Sequence, residues 1–227
     1  METKRGKMIV IEGTDASGKE TQTLKLIERL KSENIPCETM SFPRYGTPTG
    51  QMVARYLGKE PFEQEFGVSN SINPKLASVL YAEDRFFAKP EIEEILNSGK
   101  NLILNRYVES NMGHQGGKII SDAKREEYFR WLEDLEFKTF KIPRADAVVF
   151  LYMPYLVGME LKKGRPGKAD GHENDPQHLQ NAERAYLHLA RIYGWKKVDC
   201  TIDGTISTLR KKEDIAEEVH SIVSKLL

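Results

Sequence analysis

Gly13 and the Gly18-Lys19 pair are spaced so that the backbone between them can wrap a phosphate group. They belong to the run Glu12 to Thr21, EGTDASGKET. Glycines admit a close approach, the intervening N–H groups point at an anion, and a lysine opening the next helix reaches the outer phosphates of a nucleotide. Gly13, Thr14, Asp15, Ala16, Ser17, Gly18, Lys19, Glu20 and Thr21 are therefore the candidate nucleotide-phosphate loop. One position breaks the pattern. The residue after the lysine is normally Ser or Thr, whose hydroxyl ligates Mg²⁺. Here it is Glu20, also an oxygen ligand but with a longer arm and a full charge. Thr21 comes one residue late and points about 100° further round the helix. Glu20 is the candidate metal contact.

Phosphoryl transfer is mostly positioning and charge neutralisation, so cations must reach the transferring group. No basic residue precedes Lys19 within the loop. Lys162, Lys163, Arg165 and Lys168 are the obvious external source, with Arg165 the first choice. Gly164 and Gly167 would let that segment, about 158–176, act as a lid. Arg106 directly follows an apolar strand, where a crevice would open. His172, His178, His188 and His220 have neither metal-ligand spacing nor a triad context and read as structural or surface residues.

These residues need a scaffold. Met8 to Ile11 is a short continuous apolar run, as in a strand buried on both faces. Further strands are expected at Cys37 to Phe42, Leu102 to Leu104, Ala147 to Tyr152 and Val198 to Ile202. Leu24, Ile27 and Leu30 recur at helical spacing. Longer helical stretches are expected at Pro74 to Asn97, Asp122 to Phe137, Asp175 to Tyr193 and Glu213 to Leu226. The alternation predicts a single α/β domain over residues 1–227, a three-layer fold with a parallel sheet and helices on both faces. Pro43 to Asn73, Tyr107 to Ser121 and Gly158 to Pro176 read as long connections, which in such folds gather around one crevice.

Composition narrows the function classes. With 39% hydrophobic and 30% charged residues the chain is far from the disordered range. Lys+Arg and Asp+Glu both total 34, so net charge gives no reason to expect a nucleic acid or an anionic membrane as partner. No apolar run approaches the roughly 18 residues of a membrane span, and Met1 to Lys7 lacks the apolar core of a signal peptide. The default expectation is a cytoplasmic protein. Cys37 and Cys200 read as buried thiols rather than a disulfide framework.

Over essentially its whole length the sequence resembles the thymidylate kinases, P-loop nucleoside-monophosphate kinases. EGTDASGKETQ, Glu12 to Gln22, looks like that family's EGxDxxGKxTQ. Phe42-Pro43 followed by Thr47-Pro48-Thr49-Gly50 is similar to its FPxRxTxxG stretch, and Tyr81 to Arg85 to its aromatic-x-x-[ND]-R helix. Asn105-Arg106-Tyr107-Val108-Glu109-Ser110-Asn111 resembles DRYxxSN, followed by Gln115-Gly116-Gly117. The resemblance implies a five-stranded sheet of order 2-3-1-4-5, transfer of the γ-phosphoryl of ATP to dTMP with Mg²⁺, and a homodimer. It implies Lys19, Arg106, Arg165 and Asp15 as catalytic, with Asp15 near the acceptor sugar and the metal. Tyr81 would stack on thymine, Arg85 would bind the base carbonyl, and Arg106 would hold the acceptor phosphate. Ser110, Asn111 and Gln115 would surround the acceptor, and His114 falls where some members place a tyrosine against the ribose 2′ position.

The chain departs from the family at three places. Asn105 replaces the usual metal-proximal Asp, while Glu20 replaces the hydroxyl, so one carboxylate has moved between two metal positions and the formal charge is kept. The FPxR arginine falls on Tyr45, with Arg44 one residue earlier as its candidate substitute. Two rival readings follow: the same fold acting on another pyrimidine nucleotide or a deoxynucleoside, and a non-catalytic nucleotide-binding protein with an altered metal site. A GTP switch is disfavoured by the absence of an N-K-x-D motif.

Overall fold

The computed structural model describes residues 4–63, 65–163 and 175–227. Five strands, β1 (Met8–Gly13), β2 (Cys37–Ser41), β3 (Asn101–Asn105), β4 (Ala147–Tyr152) and β5 (Lys196–Asp199), form one parallel sheet in the order 2-3-1-4-5. β1 lies at its centre and is buried along its full length. Its side chains alternate between two cores, as the pleat requires. Met8 and Val10 join Leu102, Leu104 and Phe129 on one face, and Ile9 and Ile11 join Ile103, Val149 and Leu151 on the other. Each such fully buried aliphatic or aromatic side chain contributes roughly 1.5–3 kcal/mol.

Helices cover both faces: α1 (Lys19–Ser32), α2 (Pro48–Leu57), α3 (Pro74–Asn97), α4 (Val108–Gly117), α5 (Asp122–Glu133), α6 (Tyr155–Lys162), α7 (Pro176–Ile192) and α8 (Lys212–Ser224). The apolar stripe Leu26, Ile27 and Leu30 of α1 meets Ile215, Val219 and Val223 of α8 on one face, while Leu24 points to solvent. Among the described residues no helix is long and apolar enough to cross a membrane.

α3 and β4 have the expected bounds, and β5 does not. The chain leaves the sheet at Asp199, and Thr201 pairs with Leu209 in an antiparallel bridge, which leaves Ile202 exposed. Two helices, α2 and α4, lie in segments expected to be connections, and α6 runs into a third. α2 has strong local signals: Thr47 accepts from the Gly50 N–H, Pro48 sits in the first turn, and Gly58 closes the helix in the left-handed region. α4 is rich in glycine for a packing reason. A Cβ on Gly113 would lie 2.3 Å from the Tyr186 ring of α7. The loss of helix propensity is exchanged for close helix contact. α6 occupies the start of the expected lid. α5 passes at Glu133 into a π-helical turn, Asp134–Thr139, which turns Glu136 into the interior.

Candidate active site

The loop between β1 and α1 makes the first half of the site. Ala16 and Gly18 both have positive φ, 60° and 81°, the backbone shape that turns successive N–H groups into one concavity. Thr14 is structural, its hydroxyl donating to the Met153 carbonyl at 2.6 Å. The Lys19 ammonium lies inside the loop and donates to the Gly13 and Thr14 carbonyls, each at 2.9 Å. Burial and the nearby Arg106 lower its pKa to about 7 against the pull of Asp15 and Glu12. Among the described residues the buried Ser17 hydroxyl has no hydrogen-bond partner. A buried cation on backbone carbonyls, beside an unused hydroxyl, matches an anion site better than a structural turn.

The second half is a cleft with about 630 Å³ of non-atom space beside the C-terminal ends of β1 and β3. Asp15, from the phosphate loop, lines it together with Tyr81 and Arg85 of α3. So do Arg106 and the α4 residues Ser110, Asn111, His114 and Gln115. Arg106 has φ 67°, an unusual conformation for a residue with a side chain, and its guanidinium lies 3.6 Å from Asp15. Such strain, of order 1–3 kcal/mol, persists where surrounding structure fixes it and is concentrated at functional sites. Burial opposes ionisation of Asp15, but His114, Lys162, Lys19 and Arg106 together hold its carboxyl well below the usual carboxylate range. Lys162, the last residue of α6, makes the closest of these contacts at 3.0 Å.

The expected acceptor residues divide by what already occupies their polar atoms. Arg85 is buried, its Nε and Nη2 on the Glu136 carboxylate and Nη1 on the Tyr107 carbonyl. Asn111 donates to the Ser78 carbonyl at 3.2 Å, and the Ser110 hydroxyl donates to Glu12 at 2.6 Å. Gln115 is 1% exposed, and its carboxamide oxygen has no hydrogen-bond partner among the described residues. Arg44 does not line the cleft. Its guanidinium bonds Asp84 and lies 3.8 Å from Glu91, and it is Tyr45 that faces the cavity at this turn. Of the two metal candidates, Glu20 is exposed in the first turn of α1, and Asn105 has a buried Oδ1 without a partner among the described residues, while its Nδ2 donates to Ser41. Arg165, Lys168, Gly164, Gly167 and His172 lie outside the described residues; Lys163 is exposed and pairs with Glu160.

Sequence reasoning did not pick out several residues that hold the site's side chains in place. Glu12 is completely buried and receives the Gly13 N–H, Ser110 and Tyr186. A charged residue ending a strand buried on both faces was its available signal. Glu136 and His178 carried none, because their partners Arg85 and His114 lie 51 and 64 residues away.

Glu109 illustrates the cost of this polar interior. Burial, helped by Glu12, raises its pKa to about 7, and its Oε2 is buried without a partner among the described residues. Its protons are held more tightly folded than unfolded, so it withdraws stability as pH rises from about 4.5 to 7. Glu109→Gln is expected to stabilise the fold by about 1–3 kcal/mol at pH 8 and to have no effect near pH 4.5. Thermal midpoints at the two pH values test this, and an equal difference at both would contradict it.

Comparison with known proteins gives a consistent picture. A family model for thymidylate kinase matches residues 11–215. The thymidylate kinase of Mycobacterium tuberculosis is 31% identical over 193 residues, covering 83% of this chain and 87% of the relative. That of Homo sapiens is 28% identical over 205 residues, covering 88% and 85%. A solved structure of the Candida albicans thymidylate kinase superposes with a TM-score of 0.69 at 22% identity, covering 97% of this chain and 92% of that one, a likeness of fold.

Proposed function

Because this chain belongs to the thymidylate kinase family, we propose that the loop and cleft described above perform that family's reaction. The chain transfers the γ-phosphoryl of ATP to dTMP, giving ADP and dTDP. The observation that carries the assignment of residues is Asp15: it belongs to the phosphate loop and lines the same cleft as Tyr81, Arg106 and Gln115. Donor phosphates in the loop and an acceptor in the cleft would therefore meet beside one carboxylate.

Loop amides and Lys19 bind the ATP phosphates. Arg106 holds the acceptor phosphate with its planar fork of donors, so that a phosphate oxygen faces the γ-phosphorus in line. Tyr81 supplies a flat apolar face for thymine. The orphan oxygen of Gln115 is suited to accept from the ring N3–H, and Arg85, fixed by Glu136, to donate to a ring carbonyl. Lys162 stands ready, on Asp15, to follow charge as it develops on the transferring group. The acceptor oxygen attacks directly, so no protein nucleophile is required.

The residues present suit Mg²⁺ that enters with the nucleotide. Among the described residues no group of three or more His, Cys, Asp or Glu could cage a metal. Magnesium is commonly held by one or two protein oxygens plus phosphates and water. The orphan Oδ1 of Asn105 and the exposed carboxylate of Glu20 would be those oxygens. When bound, the ion offsets negative charge on the outer phosphates.

Acceptor preference tests the residue assignment. Turnover is expected to be greatest with dTMP, lower with dUMP and UMP, and at background with thymidine, which offers Arg106 no phosphate. Thymidine turning over as fast as dTMP would overturn it. Assembly as a homodimer is supported by Leu76 and Phe87, 67% and 63% exposed and eleven residues apart on one face of α3, and sedimentation reads it directly. Buried free thiols at Cys37 and Cys200 support a cytoplasmic location, which fractionation checks.

A further inference from the structure

His114 and His178 form a pair that the reaction scheme leaves unused. The rings lie 8° from parallel, with centroids 5.6 Å apart, and His114 Nδ1 lies 3.3 Å from His178 Nε2. His114 lines the acceptor cleft, and His178 is 4% exposed in the first turn of α7, where its backbone N–H donates to Asp175. On the far side of His114, Nε2 lies 3.4 Å from Nη1 of Arg106.

The order of donors in this chain is fixed by one chemical fact. A guanidinium only donates, so His114 Nε2 must accept. A neutral imidazole then carries its proton on Nδ1, which donates to His178 Nε2, and His178 in turn carries its proton on Nδ1. The neutral form follows from the surroundings. Among the described residues burial, Arg106, His178 and Lys19 disfavour charge on His114 while Asp15 favours it, and its pKa falls well below the ordinary value. His178 faces Lys118, Asp15 and Asp175, and burial brings it down to about 4.

We infer that His178 is a positioning residue: by accepting from His114 Nδ1 it fixes the tautomer whose Nε2 anchors the Arg106 guanidinium toward the acceptor phosphate. The inference rests on the proposed role of Arg106. If nothing accepted from Nδ1, the proton could move to Nε2 and place a donor against a donor. Arg106 would then lose its uncharged anchor while keeping the Asp15 contact at 3.6 Å.

Nitrogen NMR of the histidine-labelled full chain, read together with steady-state kinetics, tests this. In the unsubstituted protein the His114 ring is expected to be protonated on Nδ1. His178→Leu should shift the proton toward Nε2 and raise KM for dTMP roughly tenfold, with KM for ATP within about twofold. His178→Gln, which keeps an acceptor, should return both readouts to near their original values. A His114 ring protonated on Nε2 in the unsubstituted protein overturns the inference without any variant. So does an unchanged KM for dTMP in His178→Leu when Arg106→Met is strongly impaired, an outcome that leaves the reading of Arg106 intact. An Arg106→Met variant with normal KM for dTMP instead removes that reading.

Discussion

Arg106→Met is expected to lower kcat/KM for dTMP roughly 10²- to 10⁴-fold, with ATP affinity changed by no more than a few-fold. Three observations set that magnitude. The residue lies in the cleft on a strained backbone, φ 67°, immediately after β3. Its contacts among the described residues, Asp15 and His114, leave further donors of the fork for a ligand. Losing a charged partner of a buried anion costs about 3–5 kcal/mol. Arg106→Lys should recover little, because an ammonium supplies a point charge without the bidentate geometry. Steady-state kinetics at saturating ATP decide it. A fall of less than tenfold for Arg106→Met would mean that the acceptor phosphate is held elsewhere.

Lys19→Met is expected to reduce kcat by roughly 10³-fold without lowering stability at pH 7. The two halves of this prediction have one cause. Buried among the Gly13 and Thr14 carbonyls, the Lys19 ammonium has its pKa lowered from 10.5 to about 7. Between those values the unfolded chain binds more protons than the folded one, so this lysine withdraws stability at neutral pH. Methionine fills similar space without a charge to bury. The group that weakens the resting fold is the one that meets phosphate charge in the reaction, the usual exchange of stability for activity. Melting curves and turnover of the same preparation measure both. A variant within tenfold of the original kcat would exclude Lys19 from phosphate contact.

What could be read from the sequence was local. The phosphate loop depends on glycine spacing and a following helix, and both are visible within ten residues. Tyr81 and Arg85 stand four apart on α3, as do Ser110 and His114, and Asn111 and Gln115, on α4. A helix places such pairs on one face, and all six line the cleft. The helical character of α4 was hidden by its glycines, whose purpose becomes visible only when α7 packs against them. Arg44 illustrates the reverse limit. Its neighbourhood in the sequence suggested a phosphate, but Asp84, forty residues away and buried, receives it instead. Glu136 and His178 follow the same rule: a buried charge or imidazole finds its partner through the fold, and nothing within a turn of either residue announces that partner.

The products formed from ATP and dTMP are the most direct readout of phosphoryl transfer by this chain. Purified chain incubated with both and Mg²⁺ should yield dTDP and ADP in equal amounts, and chelation of the metal should stop both together. ATP binding without dTDP, or ADP release without dTDP, would contradict the account and leave a nucleotide-binding loop whose Glu20 and Asn105 no longer support phosphoryl transfer.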